Sequence, residues 1–477
     1  MRGFMLDSAR TLESRAYYQR FIAHTAAWGC DTLLWHFSDD QGCSLRWDSI
    51  PEAASPNAYA KDELRALLAH AAAHGVAVIP ELETLGHTRF ITRARPDLAE
   101  LAENDHEFTA LCPVHPRTRA VVGALLDEVC ELFPAPLVHV GLDEVNFGDH
   151  PLTRAALVSR SRTDLFADHI AFLHERLARQ GKRLMMWGDH LLKDPALAAR
   201  VPKDILVANW QYAPLVPDES AITLQGHGFE IVSCPALISY DQPLYPGDAF
   251  ALPNLRHTAA HVAAHRTLGT ITTLWTPQRY LHDALWPALH LAADFMRLGP
   301  GLNVADSLRR FAASFFGMNA AADACERWGA ALVRVIELSP LRKPWVAAMK
   351  LEMDDRLQGI DLSAQARAWS AVGDVLVDGR GAVRREQASY DALVLMAQVA
   401  AHVWDRAARR QAGTLDQATL DASAALASRL SAAWDAERFA DDPRKYHPVF
   451  AFDADNHLLL TFEKGTAAAR TCLGTQR

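Results

Sequence analysis

The sequence predicts an α/β fold, a (β/α)8 TIM barrel over residues 1–300 followed by a mainly helical C-terminal region over 301–477. Three observations carry this reading. Short apolar runs alternate with amphipathic stretches through the first 300 residues. The runs number eight, the count that closes a barrel. Polar residues gather where the runs stop, at the strand ends that form the functional rim of such a barrel.

Taken in order, the predicted strands are Gly3–Asp7, Thr32–Phe37, Val76–Glu81, Leu137–Leu142, Arg183–Trp187, Ile205–Trp210, Phe229–Cys234 and Thr270–Trp275. They are rich in the Val, Ile, Leu and aromatic residues of buried parallel strands. The first helix shows the period between them. Tyr17, Phe21, Ile22, Thr25 and Trp28 recur at three- and four-residue spacing, with Arg15, Arg20 and His24 elsewhere on the wheel. Similar patterns fill 61–74, 116–133, 163–180, 254–267 and 283–297, and Gly75 and Gly181 stand where helices end. Beyond residue 300, Val304–Phe315, Ala321–Leu338 and Glu386–Ala408 read as helices around a looser stretch at Asp378–Gly381. Within His447–Phe462, the runs Val449–Phe452 and Leu458–Phe462 read as two short strands or as packed segments.

Composition narrows the function classes. With 50% hydrophobic and 22% charged residues, the chain is an ordinary globular one rather than disordered or collagen-like. Its 48 basic and 57 acidic residues give −9, so there is no electrostatic drive toward nucleic acid or an anionic membrane. Seven cysteines form an odd set without a C-x-x-C pair, which fits free thiols in a reducing compartment. No 7–15-residue apolar run with a cleavage site follows Met1, and no stretch is long enough to span a membrane. A cytoplasmic location is expected.

The polar residues at the run ends are Asp7, His36 and Asp39, Glu81 and Glu83, Asp143 and Glu144, Asp189, and Tyr240 and Asp241, with tryptophans at 187, 210 and 275. The segment Leu137–Val145 is the most informative. Read with period two, Val138, Val140 and Leu142 face the helices while His139, Gly141 and Asp143 face the barrel interior. Such polar groups inside a barrel are costly unless used or paired. Two adjacent carboxylates suggest acid–base chemistry, and a glycosidase needs a protonated carboxyl to expel a leaving alcohol. Sequential carboxylates fit poorly with a site that places one acid on each side of the sugar. They fit better where a neighbouring acetamido carbonyl of the substrate supplies the nucleophile.

Five motifs resemble glycoside hydrolase family 20, the β-N-acetylhexosaminidase-like family. They are Arg2–Asp7 as the opening strand, Trp35–Gly42 (WHFSDDQG), Ile79–His87 (IPELETLGH), His139–Glu144 (HVGLDE) and Leu274–Thr276 (LWT). The resemblance implies an exo-acting hydrolase of terminal β-linked N-acetylglucosamine or N-acetylgalactosamine, working with retention by substrate-assisted catalysis and with no cofactor or metal. It implies that Glu144 is the general acid/base, that Asp143 orients the acetamido group, and that Tyr240 hydrogen-bonds the acetamido oxygen. Arg2 would grip ring hydroxyls, Trp187, Trp210 and Trp275 would wall the sugar, and His87 and Glu83 would form a supporting pair. Asp39 and His139 join this substrate-binding set.

Two departures stand out. Leu142 replaces the second glycine of the signature, with little expected effect on chemistry. Pro277 replaces a glutamate expected after Trp-Thr, which opens the gluco/galacto preference and leaves Asp189 or Asp241 to supply an acceptor. Rival readings are an amino-sugar-binding barrel without turnover and a metal-dependent barrel hydrolase. For the latter, His70 and His74 lack the glutamate of H-E-x-x-H, and His257, His261 and His265 line one helix face with no carboxylate partner. The helical tail offers a surface for a homodimer.

Overall fold

The computed structural model describes residues 1–101, 109–238, 245–438 and 448–474. Eight parallel strands, β1 (Arg2–Asp7), β2 (Thr32–His36), β3 (Ala77–Glu81), β4 (Leu137–His139), β5 (Arg183–Trp187), β6 (Leu206–Trp210), β7 (Glu230–Cys234) and β8 (Thr270–Leu274), pair in chain order. The β1–β8 pairing, Arg2 opposite Thr270 through Leu6 opposite Leu274, closes the barrel. Each expected strand is present, with ends shifted by a residue or so, except β4. That strand stops at His139, three residues short of expectation, because Gly141 and Leu142 take φ of +67° and +74°.

The connecting helices follow the expected periods. Helix α1 (Arg15–Ala27) begins at Ser14, whose hydroxyl accepts the Tyr17 N–H, and buries Tyr17, Tyr18, Phe21, Ile22 and Thr25. Helices α2 (Lys61–Ala73), α3 (Pro116–Leu132), α4 (Arg162–Arg179), α5 (Asp218–Gly226), which no expected pattern covered, and α6 (Ala251–His265) continue the layer. Gly75 and Gly181 terminate α2 and α4 at positive φ, as expected.

Strand register creates one polar tier. Asp7 lies opposite His36, His36 opposite Glu81, and Glu81 opposite His139. Four neighbouring strands therefore end on ionisable side chains at one level, all of them buried.

The chain forms two compact units, Met1–Ala236 with His257–Leu274, and Leu237–Arg256 with Trp275–Arg477. This division differs from a boundary at residue 300, because α7 (Trp286–Leu298) packs with the helices that follow it. The second unit continues with α8 (Val304–Ser314), α9 (Asp323–Leu338), α10 (Arg342–Lys350), α11 (Leu362–Gly379), α12 (Gln387–Ala412), α13 (Gln417–Glu437) and α14 (Leu458–Gly474). Helices α10, α11 and α13 had no counterpart in the sequence reading. Asp378 and Gly379 belong to α11 rather than to a loose stretch. The strand alternative near the C-terminus is also overturned. Ala451–Asn456 and α14 are helical, and Leu458, Leu459, Thr461 and Phe462 bury in α14; residue 447 lies outside the described residues.

Two interior features hold this unit. Arg406 of α12 is fully buried, donates from Nη2 to the Met349 carbonyl (2.6 Å) and from Nη1 to Thr466 Oγ1 (3.0 Å), and lies 5.1 Å from the Phe462 ring centroid. It thereby ties α10, α12 and α14 together. Phe311 stacks on Phe315 at 4.7 Å and meets Phe316 at 5.3 Å and Trp328 at 6.0 Å. Phe311→Ala should therefore destabilise this unit by about 3–5 kcal/mol in urea unfolding; a loss below about 1 kcal/mol would show that the cluster collapses around the gap.

Candidate active site

The tier at the strand ends is the floor of the site. Glu81 occupies its centre. Its Oε1 accepts the Trp187 indole N–H at 2.7 Å, and its Oε2 lies 3.0 Å from His36 Nδ1. His36 Nε2 lies 2.8 Å from Asp39 Oδ2. Burial opposes charge on both partners, yet His36 and His139 lower the Glu81 pKa while Glu81 and Asp39 raise that of His36 well above its ordinary value. The pair is ionised. His139 behaves differently: burial lowers it to about 4. Its Nδ1 accepts the Gly141 N–H at 3.1 Å, so a neutral ring carries its proton on Nε2.

A second chain of charge runs from Arg10 to the carboxylate pair. Arg10 donates to Asp7 at 2.8 Å and lies 3.0 Å from Asp39 Oδ2. Asp39 Oδ1 is 3.1 Å from His87 Nδ1, and His87 Nε2 is 3.5 Å from Glu144 Oε2 and 3.7 Å from Asp143 Oδ2. Burial works against charge on Asp39 and His87 as well. Arg10 and His87 nevertheless hold Asp39 well below the usual carboxylate range, and Asp39 and Asp143 hold His87 well above its own. His87 is thus a buried cation between one fixed carboxylate and two at the rim.

The rim pair is asymmetric. The Asp143 side chain is 15% exposed and that of Glu144 44%. Burial, opposed by His87 and reinforced by Asp189, raises Asp143 to about 7. Beside Gly141, Glu83 is fully buried, has no hydrogen-bond partner on either carboxyl oxygen among the described residues, and is raised well above its ordinary value by burial and by Asp143. Both influences favour its protonated form. A Cβ on Gly141 would overlap the Glu83 carboxyl, so glycine is required there for space as well as for φ.

Backbone geometry places the pair. His87, Leu142 and Glu144 take φ of +50°, +74° and +50°, a region that costs non-glycine residues about 1–2 kcal/mol. The interior/exterior alternation projected from the strand therefore fails beyond His139, and the glycine that Leu142 replaces would have served the backbone conformation. Contacts from the segment after β5 hold the turn. Asp189 Oδ2 accepts the Glu144 N–H at 3.4 Å, and His190 Nε2 accepts the Val145 N–H at 3.0 Å.

The structure brings together Asp39, Glu83, His87, His139, Asp143, Glu144 and Asp189. Arg2 is a correction. It begins β1, at the opposite end of a six-residue strand from Asp7 and roughly 16 Å away at 3.3 Å per residue. Its backbone N–H is given to Asp31. The guanidinium at the site is that of Arg10, which lies three residues past a strand-end aspartate, and that spacing was the available signal. Trp187 is also corrected, being 1% exposed, bonded to Glu81 and edge-on to His139 at 4.6 Å. It supports the floor instead of forming an open wall. Trp210 ends β6, half-buried, with a buried indole N–H that has no partner among the described residues. Asp189 is engaged by Glu144 and by Lys193 (3.0 Å), so its role here is to position the rim. Trp275 directly follows β8 and falls in the second unit. Pro277, also there, is buried and gives its carbonyl to Arg438 (2.7 Å). Tyr240 and Asp241 lie outside the described residues. His36, Glu81 and His190 were the remaining omissions; the first two stood at strand ends without an assigned role.

Outside the site, His70 and His74 bond backbone carbonyls. His265, expected to lack a carboxylate partner, has one in Asp218 at 2.7 Å.

Asp143 offers a direct test. A carboxyl held up to about 7 contributes stability that is full below its unfolded value of 3.8 and is lost as pH rises through about 7. Asp143→Asn should therefore gain on the parent between those limits, by on the order of 2–4 kcal/mol, with the difference level above pH 7. Denaturant unfolding between pH 4 and 8 measures this, and a pH-independent difference would remove the raised pKa.

The family model for the catalytic domain of glycosyl hydrolase family 20 matches residues 1–278. A β-hexosaminidase of Vibrio furnissii is 26% identical over 275 residues, covering 50% of this chain and 43% of that protein. One from Emericella nidulans is 28% identical over 267 residues with the same shares. The chain spans less than half the length of these relatives. The exo-β-N-acetylglucosaminidase of Vibrio harveyi, solved with N-acetylglucosamine, superposes with a TM-score of 0.52 at 25% identity, over 62% of this chain and 54% of that one. Flavobacterium johnsoniae chitobiase shares the fold, with a TM-score of 0.56 at 18% identity, over 98% of this chain and 78% of its own. With the family match extending over more than half its length, from β1 to just past β8, the chain belongs to glycosyl hydrolase family 20.

Proposed function

We propose that this protein is an exo-acting β-N-acetylhexosaminidase that removes terminal β-linked N-acetylglucosamine or N-acetylgalactosamine with retention, the substrate's acetamido group serving as nucleophile. One observation carries the reading: Asp143 and Glu144 are consecutive and share His87 Nε2 at 3.7 and 3.5 Å. Two acids on one side of a sugar cannot divide the tasks of protonating the leaving oxygen and attacking C1 from the opposite face. The nucleophile then has to come from the substrate.

In this scheme Glu144, the more exposed of the pair, donates a proton to the glycosidic oxygen as the C1–O bond breaks. The acetamido carbonyl oxygen bonds to C1, and Asp143 accepts the amide N–H, offsetting positive charge as the oxazolinium ring forms. Glu144, now a carboxylate, takes a proton from water as that water opens the ring at C1. Two inversions give net retention. His87, held cationic by Asp39, stabilises the rim carboxylates. Arg10 keeps Asp39 ionised, so it acts through Asp39. Trp210 offers an apolar ring for a sugar face. A cytoplasmic location belongs to the same proposal, supported by seven cysteines that are all free thiols.

Glu144→Gln should lower kcat for a natural glycoside by at least about 10²–10⁴-fold, the usual range for general acid catalysis, with a smaller loss for an aryl substrate whose leaving group needs no proton. Asp143→Asn should cut both substrates alike. An aryl β-glucoside and an aryl β-galactoside should be nearly inert beside their 2-acetamido counterparts; equal rates would rule out participation by the acetamido group.

A further inference from the structure

A second cluster of ligating side chains lies outside the site, between α5 and the end of α6. Asp218 opens α5; His261 and His265 are one turn apart near the end of α6. His265 Nε2 is 2.7 Å from Asp218 Oδ1, the two imidazole centroids are 4.5 Å apart, and one donor atom from each of the three residues lies within 4.8 Å of the others. Asp218 is open to solvent, its side chain 66% exposed, which leaves an entry path.

His261 makes this more than a surface ion pair. It is 3% exposed, and neither ring nitrogen has a hydrogen-bond partner among the described residues. A buried imidazole with two unsatisfied nitrogens is costly, and a ligand for one of them removes part of that cost. The spacing on the helix explains its aim. Residues i and i+4 share a face, so His261 is presented beside His265 toward Asp218.

We propose that Asp218, His261 and His265 form a site for a divalent transition-metal ion, zinc being the reference case, separate from the catalytic rim. Two imidazole nitrogens and one carboxylate oxygen are the donor set that zinc favours over calcium or magnesium, with water in the fourth position. The ion takes the place of the proton shared by Asp218 and His265, which leaves to solvent, and it satisfies one nitrogen of His261. Its effect is mechanical. It fastens α5 to the end of α6, where, besides the Asp218–His265 pair, the Gln225 side-chain amide donates to the His265 carbonyl at 2.8 Å.

The test is titration of the untagged, chelator-stripped full chain with Zn²⁺, followed by calorimetry and melting temperature, and with Co²⁺, followed by visible absorption. One equivalent should bind, raise Tm and give a Co²⁺ spectrum of low-symmetry, four-coordinate type. Asp218→Asn, at an exposed position, and His265→Gln should each weaken Zn²⁺ affinity at least tenfold while the Tm of the metal-free protein stays within a few degrees. His261→Gln should abolish the Tm rise. Two results would overturn the proposal: no saturable binding up to millimolar Zn²⁺, or an affinity unchanged in Asp218→Asn and His265→Gln. The second would mean that the metal is held elsewhere, for example by His87, Asp143 and Glu144. Hydrolytic activity of the stripped protein is expected to be unaffected by Asp218→Asn, so failure here and failure of the glycosidase reading are read out separately.

Discussion

A barrel mouth that collects Asp7, Asp39, Glu81, Glu83, Asp143, Glu144 and Asp189 can fold only if the negative charge is neutralised inside it, and two buried histidines and one arginine do most of that. His36 balances Glu81 at the centre of the floor; His87, with Arg10 behind Asp39, balances the rim. Without these cations each carboxylate would face burial alone, which proteins avoid by pairing or by protonation. Both remedies are in use here. Glu81 and Asp39 stay charged because cations touch them, whereas burial, reinforced by neighbouring carboxylates, raises the pKa values of Glu83 and Asp143.

That division of charge explains why identical carboxyl groups a few residues apart differ in character. Glu81 and Glu83 sit two positions apart at the end of one strand, yet the first meets His36 and Trp187 and the second meets no donor among the described residues. Glu83, packed against Gly141 and pushed toward its protonated form, fills its space with less negative charge than a free carboxylate would carry. The rim therefore keeps two acids close together in a setting that would otherwise repel a second charge.

The same region stores backbone strain, since three of the non-glycine residues with positive φ, His87, Leu142 and Glu144, carry or flank the rim groups. Strain of this kind persists only where the surroundings over-determine it. Asp189 and His190 supply that determination by taking the N–H groups of Glu144 and Val145, and Thr84 adds a hydroxyl bond to the Val140 carbonyl at 2.8 Å. The segment after β5 thus acts on the end of β4, and Asp189 earns its place beside the acids by holding one of them in position.

Much of this was legible in the sequence because a parallel strand announces itself by an apolar run, and a barrel's polar rim lies where such runs stop. Asp39, His87, Asp143 and Glu144 were found by that rule together with a family resemblance. Arg2 was misplaced for a related reason: a motif records which residues are neighbours along a strand, but the two ends of a strand open onto opposite faces of the barrel. Helices α10, α11 and α13 were missed although each buries a tryptophan, Trp345, Trp369 and Trp434 respectively. What the sequence determines by itself is the order of strands and the residue types at their ends, since both follow from local pattern. Which carboxyl is charged, which histidine is neutral and which aspartate meets His265 were decided by tertiary structure alone, because electrostatic energy depends on distance and burial among groups up to about a hundred positions apart in the chain, as between Glu81 and Trp187.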